Sequence, residues 1–296
     1  MTSLKKLVDD SFADSALVIG NGINRYPNNP DAISWDNLLL ELWAKFSDSQ
    51  IKIRPDGISS TEFYDLLDIE ANVGVSPNPT IQKEVSKSMA DWKAQPHHEI
   101  ILSKARDLNI PVLTTNFDLV MPKSIGLEKF RTTPKSFTDF YPWTTYFGNS
   151  QLQRPTDGFG IWFVNGVIEY PRSIRLGLSH YMGSAQRARP LVQKLFSDQK
   201  VWPGKTTWLD IVFHKSLCIF GLGLEENEVF LRWLLIERAK YFKQFPERKK
   251  KGWYVTIRPK SGADNRYEGK KIFFEKIGFE VIEVDSYDAI YKIPWE

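Results

Sequence analysis

The sequence predicts an α/β protein: a doubly wound, mostly parallel sheet with an inserted helical subdomain. Six short apolar runs alternate with helical patterns, and strands separated by helices pair in parallel. Two of the runs break off into clustered polar or glycine residues, as strands do where an open sheet presents a ligand crevice at its carboxyl ends. Residues 21 to 111 separate the first two runs, far more than one crossover needs.

The first strand is Leu17 to Gly20. Apolar residues at helical spacing then mark Trp35–Phe46, Thr61–Ile69, Ile81–Trp92 and His98–Leu108, so a helical insertion at about residues 35–108 is expected over the crevice. Val112 to Thr115 is the second strand. The interval Thr132 to Gly160, rich in Pro, Thr, Tyr, Phe and Gly, reads as ordered but irregular, because its aromatic side chains favour burial. Ile161 to Val164 is the third strand, and the polar interval Tyr181 to Lys205 is expected to hold one short helix around Pro190 to Phe196. Leu217 to Phe220, Trp253 to Ile257 and Glu280 to Val284 complete the set. With no repeat and no low-complexity tract, residues 1–296 read as a single domain.

Composition narrows the class. The single cysteine, Cys218, can form neither an internal disulfide nor a four-thiolate zinc site, which favours a reducing compartment. No apolar stretch approaches the roughly 20 residues of a bilayer span. The first six residues lack the apolar core of a signal peptide, so a soluble, cytoplasmic protein is expected. A net charge of +3 is too small to indicate nucleic acid binding, and Arg248 to Lys251 reads as a solvated cluster at a helix C-terminus. The aromatic residues fall in apolar stripes, Trp35 with Leu38, Leu39 and Leu42, and Phe230 with Trp233 and Leu234, which marks core more than stacking platforms.

The two broken runs carry the chemistry. Ala16 to Asn24 runs into Gly20-Asn21-Gly22, where glycines permit a tight turn and close approach of a phosphate to the backbone. Arg25 stands where the Rossmann-type dinucleotide motif has its third glycine. Taken alone, such a pair of glycines is as often a plain turn. Ile110 to Asp118 ends in Thr114, Thr115, Asn116 and Asp118, four polar side chains in five positions. Alone, Asn116 or Asp118 would read as the N-cap of the following helix.

Together the two segments resemble the sirtuin-like family, which pairs a G-A-G-I-S type loop with a later T-Q-N-I-D or T-T-N-Y-D type element. Ile161 to Gly166 resembles the family strand that ends in His-Gly, with Asn165 in the place of the histidine. Leu217 to Leu224, followed by Glu225 and Glu226, resembles the late glycine-rich element that holds a ribose. Leu176 to Tyr181 and Gly278 to Ile282 resemble further segments in the same order. The resemblance runs from about residue 13 to the last strand and points to the zinc-free branch, a Rossmann-like NAD-binding fold.

That resemblance implies NAD as the substrate, no metal, and hydrolysis to nicotinamide and ADP-ribose in a bacterial antiphage defence system, with activity gated by homo-oligomerisation or a partner defence protein. It implies that Asn116 orients the reacting ribose or water and that Asp118 contacts the nicotinamide amide. It places Gly20, Asn21, Gly22, Ile23, Asn24 and Thr115 around the phosphates and ribose, Gly166 beside the base position, and Gly221 and Gly223 on the adenosine side. The nicotinamide leaves as a neutral molecule, so the chemistry needs orientation, charge stabilisation and a nucleophile more than a general acid.

Asn165 departs from the pattern. An amide keeps one hydrogen bond of an imidazole but accepts no proton near neutral pH. Loss of a general base costs about 10²–10⁴ in rate, so an NAD hydrolase with this residue is expected to be impaired. Two readings follow: divergence to a non-catalytic module that binds NAD or ADP-ribose, or a His-to-Asn replacement in an otherwise complete enzyme, which the intact Asn116, Asp118 and Gly166 favour. A protein deacylase is a weaker alternative, since it should carry the two cysteine pairs of a zinc ribbon. Among the histidines, His180 is read as partly buried near the site, His97 and His98 as capping or exposed at a helix start, and His214 as lying near a helix C-terminus.

Overall fold

The structure, a computed structural model, describes residues 3–49, 51–71, 80–133, 141–197, 201–259, 262 and 265–296. Eight strands among these form one sheet: β1 Ser15–Ile19, β2 Val112–Thr114, β3 Glu128–Arg131, β4 Thr145–Gly148, β5 Ile161–Phe163, β6 Ser216–Phe220, β7 Gly252–Ile257 and β8 Glu280–Val284. Their order is β3-β4-β5-β2-β1-β6-β7-β8, parallel except where β4 pairs with β3 and β5. The helices are α1 Leu4–Ser11, α2 Gly22–Arg25, α3 Trp35–Phe46, α4 Ser60–Ala71, α5 Thr80–Met89, α6 Pro96–Asp107, α7 Val120–Ser124, α8 Leu178–Ser197, α9 Leu209–His214, α10 Val229–Gln244, α11 Asn265–Lys276 and α12 Asp288–Tyr291. None is long and apolar enough to cross a membrane.

Strand alternation sorts the core into two layers. Ala16 and Val18 face one side with residues of α8, α9 and α10, while Leu17 and Ile19 face the other with residues of α1, α6 and α12. Covered on both faces, the central strands are buried at every position, which is why they read as unbroken apolar runs. A third cluster joins Leu38, Leu42 and Trp43 of α3 to Phe63 and Leu67 of α4 and to Ile81 and Val85 of α5. It reaches the sheet through Phe117, just beyond β2.

Two intervals differ from their sequence reading. Within Thr132 to Gly160, residues 134–140 lie outside the described part, and Thr145–Gly148 is a buried strand. It was hidden because it is four residues long, and its support is cross-strand: the Tyr146 ring stacks on Trp162 at 4.5 Å. Its neighbour β3 is a charged edge strand, Glu128, Lys129 and Arg131. In the interval from residue 181 onward, of which 198–200 lie outside the described part, the helix is not short. It begins at Leu178 and carries Pro190 in its interior. Its buried positions Tyr181, Ser184, Ala188, Val192 and Leu195 keep helical spacing, but Ser184 and Ala188 are too weakly apolar to announce it.

The basic cluster also sits differently: its first residue closes a short 3-10 turn, Pro246–Arg248, and Lys250 and Lys251 lead straight into β7. Their carbonyls accept hydrogen bonds from buried Arg238, which also donates to the carbonyls of Val212 and Lys215. One guanidinium thereby satisfies backbone groups left over at the end of α9 and the start of β7.

Candidate functional site

The chain runs outward from β1 to β2 and β5 on one side, and from β6 to β7 and β8 on the other. The sheet therefore reverses direction between β1 and β6, the position at which open α/β sheets form a ligand crevice. The two glycine turns meet there. The Gly20 N–H donates to the Phe220 carbonyl at 3.1 Å and the Gly22 N–H to the Gly221 carbonyl at 2.8 Å. A Cβ on Gly20 would collide with the Gly221 carbonyl and one on Gly22 with the Tyr291 hydroxyl, while Gly221 has a φ of 68°. Only glycine allows this approach.

Over the junction lies a cleft of about 530 Å³, roofed by Trp35, Met89 and Trp92. Asn21, Gly22, Gly221 and Gly223 line its β1–β6 side, and Thr115, Asn116, Asp118 and Asn165 its β2–β5 side. Gly20, Ile23, Asn24 and Gly166 stand behind this surface. Gly166, at a φ of 97°, packs its α-carbon against the Ser173 carbonyl. The N–H groups of Gly20, Gly22, Ile23 and Asn24 are already bonded, so the glycines of the first turn serve close approach and do not present free donors. Arg25, exposed at the rim of the cleft, is the cation on this side.

The Thr-Thr-Asn-Phe-Asp segment is held by its own side chains. Thr114 Oγ1 donates to the Ile19 carbonyl at 2.9 Å and accepts the Asn116 N–H at 3.1 Å. Asn116 is buried, and both its amide oxygen and its amide nitrogen lack any hydrogen-bond partner. An unpaired buried amide costs about 1–3 kcal/mol, and at Asn116 the amide lines the cleft.

Asp118 ends a buried polar chain. The Gln95 N–H donates to His98 Nδ1 at 3.0 Å, which leaves His98 Nε2–H to donate to Asn24 Oδ1 at 3.0 Å. Asn24 Nδ2 then donates to Asp118 Oδ2 at 2.8 Å and to Asn21 Oδ1 at 3.1 Å. Asn21 in turn donates to the Ile33 carbonyl at 3.0 Å, tying the first turn to the segment before α3. The Val120 N–H fills Asp118 Oδ1 at 2.9 Å. Burial raises the Asp118 pKa against these donors. Burial, and then the charge of His97, push His98 down to about 3, so its ring is neutral. His98 thus caps α6, one of the two sequence expectations, and both His97 and His98 are buried, not exposed. Each is fixed by one contact to the β1 turn, His97 Nε2 lying 2.7 Å from the Ile23 carbonyl.

His180 does not line the cleft. Its Nδ1 accepts the N–H groups of Leu176 and Gly177 at 3.2 and 3.3 Å, and burial followed by the charge of Arg175 lowers it to about 4. His214 lies away from the cleft, 2.9 Å from buried Asp210, which also accepts from Arg154 and Thr156 at 2.7 Å each. No group of three or more His, Cys, Asp or Glu among the described residues is placed to hold a metal ion.

Sequence reasoning passed over one cleft residue, Glu228. It stands directly before α10, lines the cleft, and makes no side-chain cap bond. Burial, followed by the charge of Glu225, raises its pKa to about 7. Glu225 itself is neutralised by Lys270 at 2.5 Å and Arg266 at 3.0 Å. Only the four-residue spacing of Glu225, Glu226 and Glu228 after β6 could have flagged it. Neither the protein-family models nor the curated proteins compared with the chain match it.

Proposed function

We propose that the cleft binds NAD and that the chain is an NAD glycohydrolase of the sirtuin-like type. The observation that carries this reading is the unpaired amide of Asn116, presented to a cleft at the sheet's reversal point beneath two glycine turns. Asn116 donates to and accepts from the ribose hydroxyls. Asp118, each of whose oxygens uses one lone pair internally, keeps a second for the nicotinamide amide. Arg25 answers the pyrophosphate charge that the occupied N–H groups of Gly22, Ile23 and Asn24 cannot. NAD here is a substrate, and the Rossmann-like fold, the helical subdomain over the cleft, a cytoplasmic antiphage role and control by self-association or a partner protein belong to the same reading.

The test is calorimetry with NAD on the whole chain, together with nicotinamide release. Binding by the parent and its loss in Asn116→Ala with Asp118→Ala support the reading. Unchanged binding in the double variant refutes this placement of the site. Asn165 favours a second reading, a non-catalytic module for NAD or ADP-ribose, because its amide lines the cleft and supplies no base. Binding without nicotinamide release is the outcome that selects it.

A further inference from the structure

We propose that Glu228 is the proton acceptor of this cleft, taking a proton from the water that attacks C1′ of the nicotinamide-bearing ribose. The inference rests on the NAD reading above. The C1′–N bond breaks with its electron pair leaving on nicotinamide, the water oxygen bonds to C1′, and the proton passes to the Glu228 carboxylate and then to solvent. NAD⁺ and water thus become nicotinamide, ADP-ribose and a proton.

Geometry supports this role. Glu228 is half-buried, lines the same cleft as Asn116 and Asn165, makes no side-chain bond to the first turn of α10, and has no hydrogen bond acting on its proton affinity. A carboxyl left without partners inside a cleft is not structural glue, and a fold that needed only a cap before α10 would use it to bond the first turn, which it does not. Its backbone is fixed while its side chain is not: the Glu228 N–H donates to the Glu225 carbonyl at 3.0 Å, and its own carbonyl accepts from Arg232 at 3.1 Å.

The side of the cleft is also right. Tyr181, from α8, lines the cleft, and burial, followed by the charges of Glu228 and Tyr141, raises its pKa. Tyr141 in turn donates its hydroxyl to the carbonyl of Val164, the residue before Asn165. Glu228, Tyr181 and Asn165 thus line one cleft, and the Tyr141 hydroxyl fastens the backbone just before Asn165.

The neighbouring charges set its proton affinity. Glu225 stands beside it with its charge answered by Lys270 and Arg266 of α11. Asp36 of α3 and Tyr254 of β7 also face the cleft. Arg232, one turn along α10, is committed to the Leu224 carbonyl at 2.8 Å and lies over the Phe273 ring. Among the described residues no cation offsets the burial of Glu228 and the charge of Glu225, which hold it half-protonated near pH 7, where a general base is most effective.

The experiment follows nicotinamide release by the whole chain across the pH range around 7, with NAD calorimetry in parallel, for the parent, Glu228→Gln and Glu228→Asp. Infrared difference spectra of the NAD-free protein, parent against Glu228→Gln, report the carboxyl directly. Parent turnover should rise as pH passes through about 7, because the ionised carboxylate is the base. Glu228→Gln should lose about 10²–10⁴-fold in rate and lose the pH limb while binding NAD as tightly, and Glu228→Asp should retain part of the rate. The infrared carboxyl band should titrate near the same pH.

A Gln variant with the parent's rate and pH profile overturns the role of Glu228 alone. So does a band that titrates in the ordinary carboxylate range, or a parent that binds NAD and releases no nicotinamide at any pH. Absence of NAD binding by the parent overturns the NAD reading and this role together.

Discussion

Asn24 donates to Asp118 through a 2.8 Å hydrogen bond that spans 94 positions of the chain. It fastens the first glycine turn to the polar end of β2, and His98 holds Asn24 from behind. Asp118 is thereby presented as a fixed acceptor, with His98 acting through Asn24 and never touching the cleft.

His98→Gln should weaken NAD binding and lower folding stability by about 1–3 kcal/mol, the cost of leaving buried polar groups without partners. Urea unfolding and calorimetry measure the two effects. A stable variant with unchanged affinity would show that the chain is ornamental.

The buried histidines also set an acid limit. His98 and His180 are held neutral at about 3 and 4, whereas an unfolded histidine has a pKa of about 6.5. Their folded values are depressed, so the stability they contribute is complete above about pH 6.5 and falls as pH drops toward 3, since the unfolded chain takes up protons first. Unfolding free energy measured at a series of pH values should fall over that window, and His180→Gln should flatten the fall.

Asn116→Ala should leave folding stability unchanged or raise it, because the substitution removes a buried amide that the free protein cannot satisfy. NAD binding should be lost in the same variant. Thermal unfolding that drops by several degrees would mean that Asn116 is bonded in the free protein and that the site argument fails.

Asn165→His should raise NAD hydrolysis, and in the Glu228→Gln background it should recover about 10²-fold in rate by placing an imidazole acceptor at the end of β5. Single-turnover nicotinamide release reads this. A double variant as slow as Glu228→Gln alone would show that position 165 does not face the reacting carbon.

Asp210→Asn should cost roughly 1–3 kcal/mol, less than for a fully buried pair because Arg154 is partly in water. Burial opposes ionisation of Asp210, yet hydrogen bonds from His214, Arg154 and Thr156 hold its pKa below the usual value. Its contribution is therefore present above about pH 3.9 and lost as pH falls through the lower folded value. NAD affinity should not change, since the cluster lies outside the cleft.

The central parallel strands were legible because burial on both faces leaves short apolar runs bounded by polar or glycine residues, whereas the partly exposed β8 interleaves polar residues with its apolar ones. The β3–β4 edge was not, since its support comes from the neighbouring strand and little of it from pattern. The glycine turns and the polar end of β2 stood out as interruptions of apolar runs. Glu228 and His98 did not, because a glutamate before a helix and a histidine after a proline are ordinary residues until the tertiary fold brings them to the cleft. His98 and Asn24 are 74 positions apart, and nothing local links them.

The Tyr291 hydroxyl packs where side chains on Gly22 and Gly221 would stand, and Tyr291 also lines the cleft. The site is therefore assembled from both extremes of the described chain, residue 21 to residue 291. During synthesis the first glycine turn emerges from the ribosome long before the helix that completes its wall. A nascent chain still tethered there holds no finished cleft, so whatever the mature protein does to its ligand is withheld until translation has passed α12.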